Sequence, residues 1–112
     1  MSIRTTAGGH EICVDAHAVA DDILLLACPA GYMVKVEAHQ LSRTVADGYI
    51  ELHWGPRAGN RKFWKAGTPP VEVGQGFGKE DVNGPRSTNL YVSASGTGFL
   101  NGNVRAYLVQ LA

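Results

Sequence analysis

The sequence predicts an all-β fold, an antiparallel β-sandwich of about eight strands, and three observations carry that expectation. Fourteen glycines and five prolines are distributed among 112 residues, and they recur at short intervals that leave little room for helices of ordinary length. The segments between them alternate apolar and polar residues with a period of two, the mark of a strand with one wet face. Short strands at this spacing, with no internal repeat or linker, build a sandwich or barrel. Residues 1–112 therefore read as one domain, with residues 1–9 expected as a flexible N-terminal arm.

In chain order, residues 11–14 form the first expected strand, and residues 23–28 the second, closed by the Pro29-Ala30-Gly31 turn. In the third, Val34, Val36 and Ala38 alternate with Lys35, Glu37 and His39. In the fourth, Ile50, Leu52 and Trp54 alternate with Glu51 and His53. Residues 61–65 and 70–73 follow. Then Leu90, Val92 and Ala94 alternate with Tyr91, Ser93 and Ser95, and residues 103–111 close the chain. Two stretches carry weaker helical signals. Residues 15–27 lack a breaker, and residues 37–47 end at Gly48, a plausible helical stop.

Ten basic and ten acidic side chains give a formal net charge of zero. That removes the usual electrostatic signature of a nucleic-acid binder or a membrane-surface protein. The charges are unevenly placed: residues 1–56 carry a net −4 and residues 57–112 a net +4. Arg57, Arg61, Lys62 and Lys65 surround Phe63-Trp64, and the acidic half holds Asp21 and Asp22. One reading is a solvated basic hairpin. Another is a complementary surface on which the hairpin of one copy meets Asp21 and Asp22 of a second. Trp64 as a stacking platform for nucleic acid is a weaker option, because nothing else in the chain is basic enough. The start of the chain has no apolar h-region, and no apolar run approaches the ~20 residues of a membrane span. Synthesis and release in a cytoplasm follow as expectations. Cys13 and Cys28 cannot form the framework of a small secreted domain, so free core thiols are expected.

Catalytic and metal chemistry have no visible apparatus. Ser93-Ala94-Ser95-Gly96 does not fit a nucleophile elbow. His10, His17, His39 and His53 are scattered, without H-x-H or H-x-x-x-H spacing, and read as outward strand or loop residues. Gly74-Gln75-Gly76-Phe77-Gly78 superficially has the look of a phosphate-cradling loop, but more glycine-rich chain follows instead of a helix. The expectation is a non-enzymatic protein with no catalytic residue, metal or cofactor.

The order of features from Leu24 onward resembles small phage virion proteins of jelly-roll type, including capsid decoration proteins and head or tail accessory subunits. The residues that carry the resemblance are Leu24-Leu25-Leu26-Ala27-Cys28, the Pro29-Ala30-Gly31 turn and the strand over residues 33–41. Leu90-Tyr91-Val92-Ser93-Ala94-Ser95, the Gly96-Thr97-Gly98 turn and the closing strand over residues 104–111 complete it. The resemblance implies a jelly roll and a viral structural protein that binds the major capsid protein, or other virion subunits, at the virion surface. It also implies a homo-oligomer, with a trimer favoured, and assigns no part to nucleic acid or membrane.

The residues themselves add one argument for association. In the closing strand, Val104, Ala106 and Leu108 line one face while Tyr107, Val109 and Leu111 line the other. An isolated antiparallel strand keeps one face polar, so a strand apolar on both sides is either internal or covered by a partner. Tyr107, Val109 and Leu111 are thus candidate interface residues, with Arg57, Arg61, Lys62, Trp64, Lys65, Asp21 and Asp22 as charged or aromatic contributors. The competing class is a monomeric carbohydrate-binding sandwich, which needs a row of exposed aromatics. Tyr49, Tyr91 and Trp64 are its candidates.

Overall fold

The computed structural model describes residues 2–6, 9–44, 48–66 and 82–111, and it is all-β, as the alternation requires. The strands are β1 (Ser2–Thr5), β2 (Ile12–Ala18), β3 (Ile23–Leu26), β4 (Tyr32–Arg43), β5 (Ile50–Trp54), β6 (Lys62–Ala66), β7 (Val82–Asn83), β8 (Leu90–Ala94) and β9 (Phe99–Gln110). They form two antiparallel sheets, one in the order β1-β2-β9-β4-β7 and the other in the order β3-β8-β5-β6. Among the described strands, only β1–β2 and β5–β6 are consecutive strands of one sheet. Every other pair of successive described strands lies in different sheets, so strands distant in sequence become neighbours. The expected strand at residues 70–73 and the Gly74–Gly78 loop lie outside the described residues.

The core lies between the sheets. Ile12, Val14, Val34, Val36, Leu41, Leu100, Val104 and Ala106 enter from the five-stranded sheet. Ile23, Leu25, Ile50, Leu52, Trp54, Leu90 and Val92 meet them from the other. Full burial of each larger side chain contributes roughly 1.5–3 kcal/mol. Cys28 is buried at the core margin and Cys13 is half-buried; both are free thiols in the structure.

Two irregularities in the five-stranded sheet correct the simple period-two reading. In β4 the register shifts between Val36 and Ala38, leaving Glu37 as an extra residue. A bulge of this kind inverts which side chains face inward. Ala38, expected in the core, therefore pairs with Arg105 and is half-buried, while His39, expected outside, is 7 % exposed and packs its ring 4.5 Å from that of Trp64. Leu41 and Arg43 continue on the buried side, and the Arg43 guanidinium donates to the Thr97 carbonyl at 2.9 Å.

In β2 the register shifts between Val14 and His17, and Ala16 takes φ 45°. The Ala16 N–H turns to the Asn101 side-chain oxygen at 2.7 Å. Strand β2 thus occupies the start of residues 15–27, and strand β4 occupies most of residues 37–47, in place of the helical alternatives. The first part of the expected N-terminal arm is also ordered pairing: β1 runs antiparallel to β2, with Ile3 opposite Val14.

Gly102 shows why one glycine is needed inside a central strand. Its φ is 135°, and a Cβ there would lie 2.0 Å from the Gln40 carbonyl oxygen, a contact no side chain can make without backbone movement.

Candidate functional site

The β5–β6 hairpin builds a polar cluster on the outer surface of the four-stranded sheet. Alternation in β5 sends Ile50, Leu52 and Trp54 to the core and Glu51 and His53 to the opposite face, yet all five residues are buried. In β6 the register shifts between the partners of Leu52 and His53, so that Phe63 is an extra residue. The bulge explains the non-alternating Lys-Phe-Trp-Lys sequence. Phe63 and Trp64 pack against the core, with the Phe63 ring 4.7 Å from Trp54, whereas Lys62 and Lys65 both reach Glu51.

The Glu51 carboxylate is 3 % exposed and has three cations around it. Arg57 Nε donates to it at 2.8 Å, and the Lys62 and Lys65 ammoniums lie at 3.7 and 3.8 Å. Burial acts to raise the Glu51 pKa, but the Arg57 hydrogen bond and the attraction of Arg57, Lys62 and Lys65 outweigh it, holding the carboxyl below its ordinary range. The Arg57 guanidinium is pushed up by its bond to Glu51. It also lies over the Tyr49 ring at 4.6 Å, with the Lys65 ammonium at 5.3 Å. Burial, and then the nearby Asp21 charge, raise the Tyr49 phenol.

Beside this cluster His53 is pinned from both ring nitrogens. Nδ1 lies 2.7 Å from the Gly55 carbonyl, which can only accept, so Nδ1 carries the proton. In the neutral ring Nε2 then accepts from the Ser93 hydroxyl at 2.7 Å, and Ser93 Oγ in turn accepts the Asp22 N–H at 2.9 Å. The His53 ring stacks on Tyr91, with centroids 5.9 Å apart. The Ser93–His53 spacing is that of a nucleophile and its base. Ser93 is fully buried and His53 is 1 % exposed, so in this conformation the hydroxyl is closed to a substrate. The pair ties β5, β8 and the Asp22 turn together.

The structure brings several expected interface residues into contact, but within one chain. Asp21 lies 4.0 Å from Arg57 Nε, and the Asp22 carboxylate accepts the Arg57 backbone N–H at 2.7 Å. The Arg57 complementarity assigned to two copies is thus satisfied intramolecularly. Trp64 is no stacking platform, because it packs inward against the core and His39. Tyr49 and Tyr91 do point outward, but one is covered by cations and the other by His53, so the three aromatics form no open row. Arg61 is exposed at the hairpin. With Glu51, His53, Arg57, Asn60 and Lys62 it lines a cavity of about 160 Å³.

Tyr107, Val109 and Leu111 lie elsewhere, at one end of the five-stranded sheet. Val104 and Ala106 face the core and Leu108 packs against it, as alternation requires. On the outer side Val109 pairs with Met33 and Tyr107 with Lys35; all four are half-buried. The Tyr107 ring meets His10 edge-on at 5.4 Å.

Glu51, His53 and Ser93 are the site residues that sequence reasoning missed. As polar members of alternating strands they read as wet; only the hairpin partners and the Asp21-Asp22 turn bury them. The lack of alternation in Lys-Phe-Trp-Lys is the local signal that could have placed both lysines beside Glu51. Among the described residues no three His, Cys, Asp or Glu side chains converge as a metal site, and no helix is long and apolar enough to cross a membrane. No protein-family model, curated protein or solved structure matches the chain.

Proposed function

We propose that this chain is a non-enzymatic structural subunit of a virion, a capsid decoration protein that works as a homo-oligomer, with three copies favoured. The observation that carries the reading is the strand order. Strands β2-β9-β4-β7 face β3-β8-β5-β6, the interleaved order of two Greek keys that jelly rolls use, and viral capsid domains are among the proteins built this way. This supports the resemblance noted in the sequence by an independent feature, the long-range pairing.

Mechanistically, the sandwich presents loops at its ends and an apolar stretch, Met33, Tyr107, Val109 and Leu111, on one outer face. Copies associate through that stretch, since apolar area removed from water drives association. Repeated sites on a shell then let one oligomer engage several capsid subunits, so that multivalency offsets weak individual contacts. A tail or head-fibre accessory role would use the same surfaces. The test is the mass in solution together with co-sedimentation. Light scattering should give a multiple of 11.9 kDa, and the protein should sediment with purified particles. A monomer that fails to co-sediment would overturn the proposal.

A further inference from the structure

We propose that the cavity at the β5–β6 hairpin is a binding site for a phosphate-sized oxyanion, held by Arg57, Arg61 and Lys62. The inference does not depend on the role in a virion. Its basis is a charge imbalance in the cavity wall. The lining holds three cations, Arg57, Arg61 and Lys62, against one carboxylate, Glu51. That is more positive charge than one acid requires, and Lys65 adds a further ammonium 3.8 Å from the same carboxylate. Asp21 and Asp22 offset Arg57 from outside the lining.

The partners already made leave donors to spare. Arg57 uses Nε on Glu51, which leaves its terminal N–H groups. The Lys62 ammonium stands 3.7 Å from Glu51, outside hydrogen-bond distance, and its side chain is 45 % exposed. Arg61 pairs with no acid among the described residues. Asn60, held at φ 54° by the hairpin turn, also lines the wall. Both His53 nitrogens are engaged with Gly55 and Ser93, so the ring closes the cavity without competing for a ligand proton.

With Lys65, Asp21 and Asp22 counted, four cations face three carboxylates, and the cluster keeps a net positive charge that attracts an anion. A fork of arginine donors with a lysine point charge is the side-chain set that binds phosphate oxygens. The cavity volume, about 160 Å³, accommodates one such group, and a phosphomonoester can enter by its terminal group with its organic part outside the mouth. The ligand is therefore a free phosphate ion or the terminal group of a phosphomonoester.

Amide chemical shifts of the folded, full-length chain test this, with ionic strength held constant by sodium chloride. Inorganic phosphate should give saturable shifts concentrated at residues 57–62, and acetate should bind several-fold more weakly. Glycerol phosphate distinguishes the source: binding equal to that of phosphate assigns a phosphomonoester, and binding of the free ion alone assigns phosphate. Arg61→Ala, which removes no ion pair to Glu51 and keeps the backbone bond to Trp54, should weaken phosphate binding roughly three- to tenfold, as loss of one charged donor does. Glu51→Gln should tighten it by removing the opposing charge; if that variant fails to fold, Lys62→Met supplies a second weakening substitution. Non-saturating shifts, equal binding of acetate, or an Arg61→Ala protein that binds phosphate as the parent does would overturn the proposal.

Discussion

The outer surfaces of the two sheets solve the same problem in opposite ways. On the four-stranded sheet, the chain covers its own strands: the Asp21-Asp22 turn and Arg57 close over Glu51, His53 and Ser93, and polar groups are buried with partners. On the five-stranded sheet, β9 and β4 run side by side for most of their length, and Met33, Tyr107 and Val109 remain half-buried on the outer side. The contrast shows that burial and apolarity are separate properties of a sheet surface. Charged residues go under when a neighbouring loop brings opposite charge. The apolar ones on the other sheet stay partly in water. The first surface carries the proposed anion site, and the second the proposed contact between copies.

The largest effect that tests this contrast belongs to the strand pairing beneath the apolar surface. Gly102→Val should cost more than about 3 kcal/mol or prevent folding, because backbone strain and a steric clash coincide at one residue. Urea denaturation and soluble yield are the measurements. A variant as stable as the parent would mean that β9 can move away from β4, and that the five-stranded sheet is the looser of the two.

Next in size is the buried acid. Glu51→Ala leaves Arg57, Lys62 and Lys65 without their shared carboxylate, at a cost of about 1–3 kcal/mol. The figure stays below that of a fully buried pair because the cations keep a third or more of their surface in water. Glu51→Gln retains an acceptor for Arg57 and should lose less. An unchanged unfolding midpoint in both variants would show that the cluster is a solvated surface feature.

The same carboxyl sets a pH dependence. Its pKa in the folded chain is lowered from the ordinary 4.5, so the unfolded chain binds the proton more readily. The stabilisation from Glu51 is fully present above that ordinary value and is lost as pH falls through the lower, folded one. Thermal melting followed downward from neutral pH should show the decline beginning near 4.5, and Glu51→Gln should have the shallower slope. Parallel curves would remove Glu51 as the cause.

The smallest effect on stability is expected at the apolar surface. Val109→Asp combined with Leu111→Asp should change unfolding stability by less than about 1 kcal/mol, since both residues are only half-buried. The same double variant should reduce the mass of an oligomer to that of one chain. Unchanged mass would move the contact between copies to another surface, with Leu24 and Phe99, each more than two-fifths exposed, as the next residues to substitute.

Sequence by itself determined the all-β class, most strand positions and much of the core. The reason is local: side chains alternate along any extended chain, and glycine and proline mark where it turns. Ile50, Leu52, Trp54, Leu90, Val92, Val104 and Ala106 were legible on that basis. Tertiary structure alone decided what the bulges and crossings impose. The extra residue Glu37 turned His39 inward, and the extra residue Phe63 turned two lysines toward one acid. Crossing strands placed Ser93 beside His53 and Asp22 beside Arg57, pairs separated by 40 and 35 positions. A register shift changes which face a residue occupies without changing its neighbours in sequence, so alternation marks it only where the pattern breaks, as in Lys-Phe-Trp-Lys, and leaves no trace at Glu37.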